Sequence, residues 1–228
     1  FGWLLGAHHL QSIRTVAGRT RRCASMEGNA LYAMLALGLA DERADRLASS
    51  LIGWQWPDGG WNCDKNPAAS HSSFMETLIP LRGLVLHARL TGSSRSREAV
   101  ERAAEVFLKR RLLYRLSDGQ VIAETFLRLH FPCYWHYDVL FALKVMAEAG
   151  LITDPRCREA LDYLETCRLP DGGFAAAERF YKTAPSATTG RSLVAWGLVG
   201  RTCANEFVSL DALSVLKQAG RFSPSMPG

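Results

Sequence analysis

Gln55-Trp56-Pro57-Asp58-Gly59-Gly60-Trp61 is the stretch on which the fold reading turns. It closes a helical pattern and bends on two glycines. A near copy, Leu169-Pro170-Asp171-Gly172-Gly173-Phe174, follows 113 residues later. A reduced version, Ser117-Asp118-Gly119-Gln120-Val121, lies between them. A turn that returns every ~50–60 residues, each time after a helix, marks a chain built from repeated helical units.

The segments around these turns alternate in character. Met26 to Leu39 is apolar nearly all round, the pattern of a buried helix. Asp41 to Trp54 is amphipathic, with its charges set against Leu47, Leu51 and Ile52. The order repeats. Ser72 to Leu90 is apolar, with Ser72 or Ser73 as N-cap, and Ser94 to Tyr114 is charged and amphipathic. Tyr137 to Ala149 is apolar and ends at Gly150. Asp154-Pro155 then opens a helix running to about Cys167. Thr188 to Val199 reads as the last inner helix and Ser209 to Gln218 as the last outer one. Residues 1–25 form an N-terminal segment in which Trp3 to Val16 can be helical, and 221–228 read as a frayed tail. Long linkers, Trp61 to His71, Gln120 to Trp135 and Phe174 to Ala187, separate each turn from the next inner helix. Open helical arrays repeat every ~34–47 residues with tight connections. The long linkers instead predict an all-α fold, an α/α toroid in which one domain spans 1–228.

Composition bounds the function. Of 228 residues, 48% are hydrophobic and 21% charged, ordinary values for a globular chain. The net charge of +5 is scattered, and no aromatic-basic module accompanies it, so no nucleic-acid partner is expected. The six cysteines fall at irregular spacings without a CxxC pair, which predicts free thiols and a cytoplasmic location. No apolar run reaches the roughly 18 residues of a membrane span. The start, Phe1 to Gly6, does not read as a signal peptide, and the missing Met predicts a fragment or processed form.

The pattern Arg46-x-x-x-x-Leu51-Ile52-x-x-Gln55-x-x-x-Gly59-x-Trp61 resembles the QW repeat of squalene cyclases and the related repeat of protein prenyltransferase β subunits. The second copy departs from it, with Arg168 at the Gln position and Phe174 for Trp. The resemblance implies an α/α toroid around an apolar cavity, with isoprenoid chains as ligands. Its chemistry does not carry over residue by residue. No two aspartates are adjacent, so the D-x-D-D acid motif and the D-D-x-x-D diphosphate motif are absent. No Asp-x-Cys zinc pair occurs; Cys63-Asp64 is adjacent and reversed. About four to five helix pairs can be counted, fewer than a six-hairpin toroid, which predicts a trimmed barrel or a fragment.

In a toroid the long linkers line one mouth of the cavity. Three of their residues are candidate acids or bases: Asp64, His136 and Asp138. His136 opens a helix beside aromatics with a carboxylate two residues on, which suits proton transfer. The same pattern also fits Asp138 as a helix cap and Asp64 as a loop-capping Asx turn. Candidate substrate contacts are Trp61, His71, Glu76, Tyr134, Trp135, Tyr137, Phe180 and Tyr181, with Tyr134, Trp135 and Tyr137 suited to stabilise a carbocation. Glu76, at the first turn of an apolar helix, also fits a purely structural role. His130-x-x-Cys133-x-x-His136, joined by Cys63 or Asp64, has ligand types suited to zinc, but no paired-cysteine motif accompanies it, and no cofactor is otherwise expected. No P-loop, GxSxG or dinucleotide fingerprint occurs. These features predict a terpene cyclase-like enzyme acting by proton transfer on a hydrophobic small molecule. The alternative is a non-catalytic toroid that binds a hydrophobic ligand or a partner protein.

Overall fold

Helices carry most of the chain in the computed structural model, which describes residues 2–181 and 194–222. Backbone contacts group the chain into two units, Phe1–Arg110 and Arg111–Gly228. In the first, a 3-10 turn Gly2–Leu5 and helix α1 (Ala7–Gln11) precede a hairpin of β1 (Arg14–Val16) and β2 (Arg19–Arg21). Helices α2 (Ser25–Ala36), α3 (Glu42–Trp54), α4 (Phe74–Thr91) and α5 (Ser94–Leu108) follow. The second holds α6 (Val139–Glu148), α7 (Arg158–Thr166) and α8 (Glu206–Gln218), with an irregular stretch before α6.

The hairpin corrects the expectation of a helix from Trp3 to Val16. Ala17 and Gly18 both take positive φ, 50° and 70°, the backbone of a two-residue turn that matches strand twist. Thr15 then faces Thr20 across the ladder. A second correction concerns Thr188 to Val199. Residues 188–193 lie outside the described residues, and 194–199 are not helical. There the carbonyls of Trp196 and Leu198 accept from the Asn205 side chain, which also caps α8. Gly197 sits at φ 78°, outside any right-handed helix.

Several helices begin at a side-chain cap. Ser73 caps α4, Ser93 α5 and Asp138 α6 through their side-chain oxygens. Asp41 and Asp154 each accept from the backbone and the guanidinium of the arginine two residues on, Arg43 and Arg156. Those arginines hold both carboxyls below the usual carboxylate range.

Helix α2 packs along α4, and α4 against α5. The approach of α2 to α4 is close because Gly28 has no side chain: a Cβ there would lie 2.6 Å from the Pro80 nitrogen. Phe107 of α5 is fully buried and meets Phe74 edge-on at 4.8 Å. Burial of one such ring is worth about 1.5–3 kcal/mol.

The quoted turn joins these helices. Trp56 N donates to Gly60 O and Gly59 N to Trp56 O, while Gly59 sits at φ 105°, which glycine alone tolerates readily. The Gln55 amide donates to the carbonyls of Gly59 and of Ala99 in α5. Trp61 is buried, and its indole donates to Leu51 O at 2.9 Å. In the second unit Leu169 N donates to Gly173 O, Gly172 N to Leu169 O, and Phe174 is fully buried. Arg168 Nε reaches Gly172 O where Gln55 reaches Gly59 O. The two turns are therefore one structure, with arginine standing in for glutamine.

Candidate functional site

Among the described residues, two clusters of chemically competent side chains emerge, one in each unit. The second unit holds the one built around imidazole. Residues 129–130 lie beside residues 177–178, through Ala177 N donating to Leu129 O and a parallel bridge between His130 and Glu178. His130 and Asp138 are thereby buried together, at 3% and 0% exposure. Asp138 Oδ1 accepts from Phe141 N as the α6 cap, and Oδ2 accepts from His130 N at 2.9 Å. His130 Nδ1 lies 3.0 Å from Asp138 Oδ2 and 3.0 Å from the Arg128 carbonyl.

Both groups facing Nδ1 are acceptors, so Nδ1 carries the hydrogen and Nε2 is the basic nitrogen. Among the described residues, buried Nε2 has no hydrogen-bond partner. Burial works against a charged imidazole here, but the Asp138 charge and the hydrogen bonds at Nδ1 outweigh it and raise the His130 pKa above the ordinary 6.5. The His130 ring meets Phe180 edge-on at 4.8 Å.

His136 sits in a stack of three rings. It lies 4.0 Å from Trp135 and 3.5 Å from Phe180, nearly parallel to both. Burial lowers its pKa, and the neighbouring His130 lowers it further. Tyr134 and Trp135 are exposed, at 47% and 51%. Tyr137 is fully buried, donates its hydroxyl to Leu112 O and packs on Phe126, so it belongs to the core. Tyr181 is half-buried, with the Arg179 guanidinium 5.9 Å from its ring. A cleft of about 380 Å³ lies along the same segment, lined by Glu124, Leu127, Arg128, Leu129, Tyr163 and other residues.

The first unit gathers thiols. Asn62 pairs with Arg21, and Arg22 N donates to Asn62 O, which sets Cys63 alongside Cys23. Glu76, in the first turn of α4, joins them: the ligand atoms of Cys23, Cys63 and Glu76 all lie within 4.8 Å of one another. Glu76 Oε2 accepts from Ser25 N at the start of α2, and Oε1 accepts from the Cys63 thiol at 3.7 Å. Burial pushes that thiol up to about 12, with Cys23 and the Glu76 carboxylate adding to the effect.

The other candidates of the first unit are placed apart from this cluster's ligand set. Asp64 is exposed, and its Oδ1 accepts from Asn66 N, an Asx turn. His71 is exposed, and its carbonyl accepts from the Asn62 amide. Trp61 is a core residue. Of the His130, Cys133 and His136 grouping, His130 and Cys133 do meet, but the third member is Asp138 and not His136.

The sequence alone does not reveal that His130 meets Asp138 or that Cys23 meets Cys63. The signal for His130 is an imidazole between Leu129 and Phe131, just before Pro132. Cys23 has no local signal, because its partners come from other segments. Comparison of the chain with protein-family models, with curated proteins and with solved structures yields no match.

Proposed function

We propose that the chain is an α/α-toroid enzyme that moves a proton to and from a hydrophobic, isoprenoid-type small molecule. His130 is the proton carrier. The observation that carries this reading is the buried, unpartnered Nε2 of His130 opposite an Nδ1 held between Asp138 and the Arg128 carbonyl. The raised pKa favours the protonated imidazole that a general acid requires. Protonation of an alkene carbon breaks the Nε2–H bond, forms a C–H bond and leaves a carbocation. Loss of a proton from the adjacent carbon to Nε2 gives an isomerised alkene; where a second alkene of the same molecule first attacks the cation, its π bond becomes the new C–C bond of a ring and the proton is lost beside the relocated cation. Aromatic faces attract such a cation, and Trp135 and Phe180, stacked on either side of His136, are the aromatic rings of this cluster. Asp138 acts through His130, so it is a positioning residue. Asp64 and His136 have no proton-carrying part in this reading.

Squalene, its epoxide and polyprenyl alcohols of graded length, incubated with the protein in deuterated water, test the reading. Deuterium on carbon in a cyclised or isomerised product is expected, read by mass spectrometry. His130→Asn keeps a donor toward the Arg128 carbonyl and removes Nε2, and should lower turnover by about 10²–10⁴-fold. Absence of product from every probe, or unchanged turnover in folded His130→Asn, would defeat it.

A further inference from the structure

We propose that Cys23, Cys63 and Glu76 form a binding site for a zinc-class divalent cation, separate from the His130–Asp138 pair. Three segments supply one ligand atom each: the connection after β2, the linker after the Trp61 turn, and the first turn of α4. The β2–linker pairing through Arg21 and Asn62 brings the two thiols side by side, so their meeting is built into the backbone.

Spacing fits the ion. With Zn–S near 2.3 Å and Zn–O near 2.1 Å, tetrahedral coordination separates a sulfur from an oxygen ligand by about 3.6 Å. Cys63 Sγ and Glu76 Oε1 lie 3.7 Å apart. Two thiolates and a carboxylate are a donor set that zinc accepts, and three protein ligands leave a fourth position open for water or a substrate atom.

The charge pattern also fits. Glu76 is only 8% exposed, and its oxygens meet a backbone N–H and a thiol. Arg22, next to Cys23 in the chain, turns its guanidinium to Glu27. Ser25 N holds Glu76 Oε2, which fixes the carboxylate as outer-shell bonds fix metal ligands. The rival cluster of His130, Cys133 and Asp138 lacks this freedom, because both Asp138 oxygens already accept backbone N–H groups.

The test uses the whole chain, stripped with a chelator and titrated with zinc. One zinc per chain is expected by elemental analysis, with thiolate-to-metal absorption on cobalt replacement. Zinc should slow alkylation of Cys23 and Cys63, read by peptide mass spectrometry, and leave exposed Cys203 unaffected. Cys23→Ser and Cys63→Ser should weaken binding by more than about 100-fold, beyond the ~10–100-fold typical of outer-shell changes. Glu76→Gln keeps the bond to Ser25 N and should also weaken it, while Cys133→Ser should not. Circular dichroism checks the fold of each variant. Should the serine variants unfold, the protection pattern in the unmodified chain decides. No stoichiometric zinc, equal protection of all cysteines, or loss of binding in Cys133→Ser would overturn the proposal.

Discussion

Asp138→Asn changes one atom in a fully buried side chain and removes its charge. Asparagine caps helices as well as aspartate does, so the bond from Phe141 N to Oδ1 survives. At the Oδ2 position an NH₂ group now faces the His130 N–H, donor against donor. Leaving that buried N–H unsatisfied costs about 1–3 kcal/mol at any pH. A second cost depends on pH. Asp138 raises the His130 pKa, so its charge stabilises the fold fully below the unfolded value of about 6.5. That contribution disappears as pH rises through the folded value. It amounts to about 1.4 kcal/mol for each unit by which Asp138 lifts the pKa. The destabilisation by Asp138→Asn should thus be largest near pH ~5 and shrink to the hydrogen-bond cost near pH ~9. Urea denaturation across that range measures it, and NMR titration of the His130 ring supplies the pKa in both proteins. In the variant burial acts with less opposition, so His130 should titrate lower. An equal destabilisation at every pH, or an unchanged His130 titration, would refute the ion-pair reasoning.

Three further outcomes follow from the first unit. Gly28→Ala should destabilise by about 1–3 kcal/mol, because the new methyl meets the Pro80 backbone; a rise in urea midpoint from helix propensity alone would contradict the close α2–α4 contact. Glu27→Gln should cost about 1.5–3 kcal/mol, since it removes the charge of a buried carboxylate that bonds part-buried Arg22, and a neutral result in thermal melts would reject that pair as structural. Trp61→Phe should cost about 1–3 kcal/mol, from the lost bond to Leu51 O and a small void; buried Phe174 shows that the turn itself accepts phenylalanine, so the hydrogen-bond pattern of the turn should persist in NMR spectra.

The turns and caps were legible because their physics is local. Pro-Asp-Gly-Gly followed by an aromatic gave the same backbone bonds twice, and Ser73, Asp138 and Asp154 cap helices as their positions imply. The β1–β2 hairpin was not legible, since an alanine at positive φ is a poor turn signal and the flanking residues also suit a helix. No helix among the described residues is long and apolar enough to cross a membrane, in line with the hydropathy. The clusters were only half legible. His136 and Asp138 stood out by adjacency, yet the ring that meets Asp138 is His130, brought there by the pairing of 129–130 with 177–178. Cys23 meets Cys63 through the Arg21–Asn62 bridge, a contact with no pattern along the chain.

A common device links the two clusters. Each centres on a buried carboxylate at the start of an apolar helix: Glu76 in the first turn of α4, and Asp138 as the cap of α6. Both accept backbone N–H groups, Ser25 N in one case and His130 N and Phe141 N in the other. The helix N-terminus is the reason such groups can be buried as anions, since its orphan N–H groups and partial positive charge offset lost hydration. What differs is the group the neighbouring linker delivers to that anion. The linker after Trp61 delivers a thiol, and the linker before α6 delivers an imidazole. An anion facing two thiols attracts a soft cation, whereas an anion facing an imidazole orients it and holds its proton. The chemistry diverges because the linkers carry different side chains to the same kind of place, the start of an apolar helix.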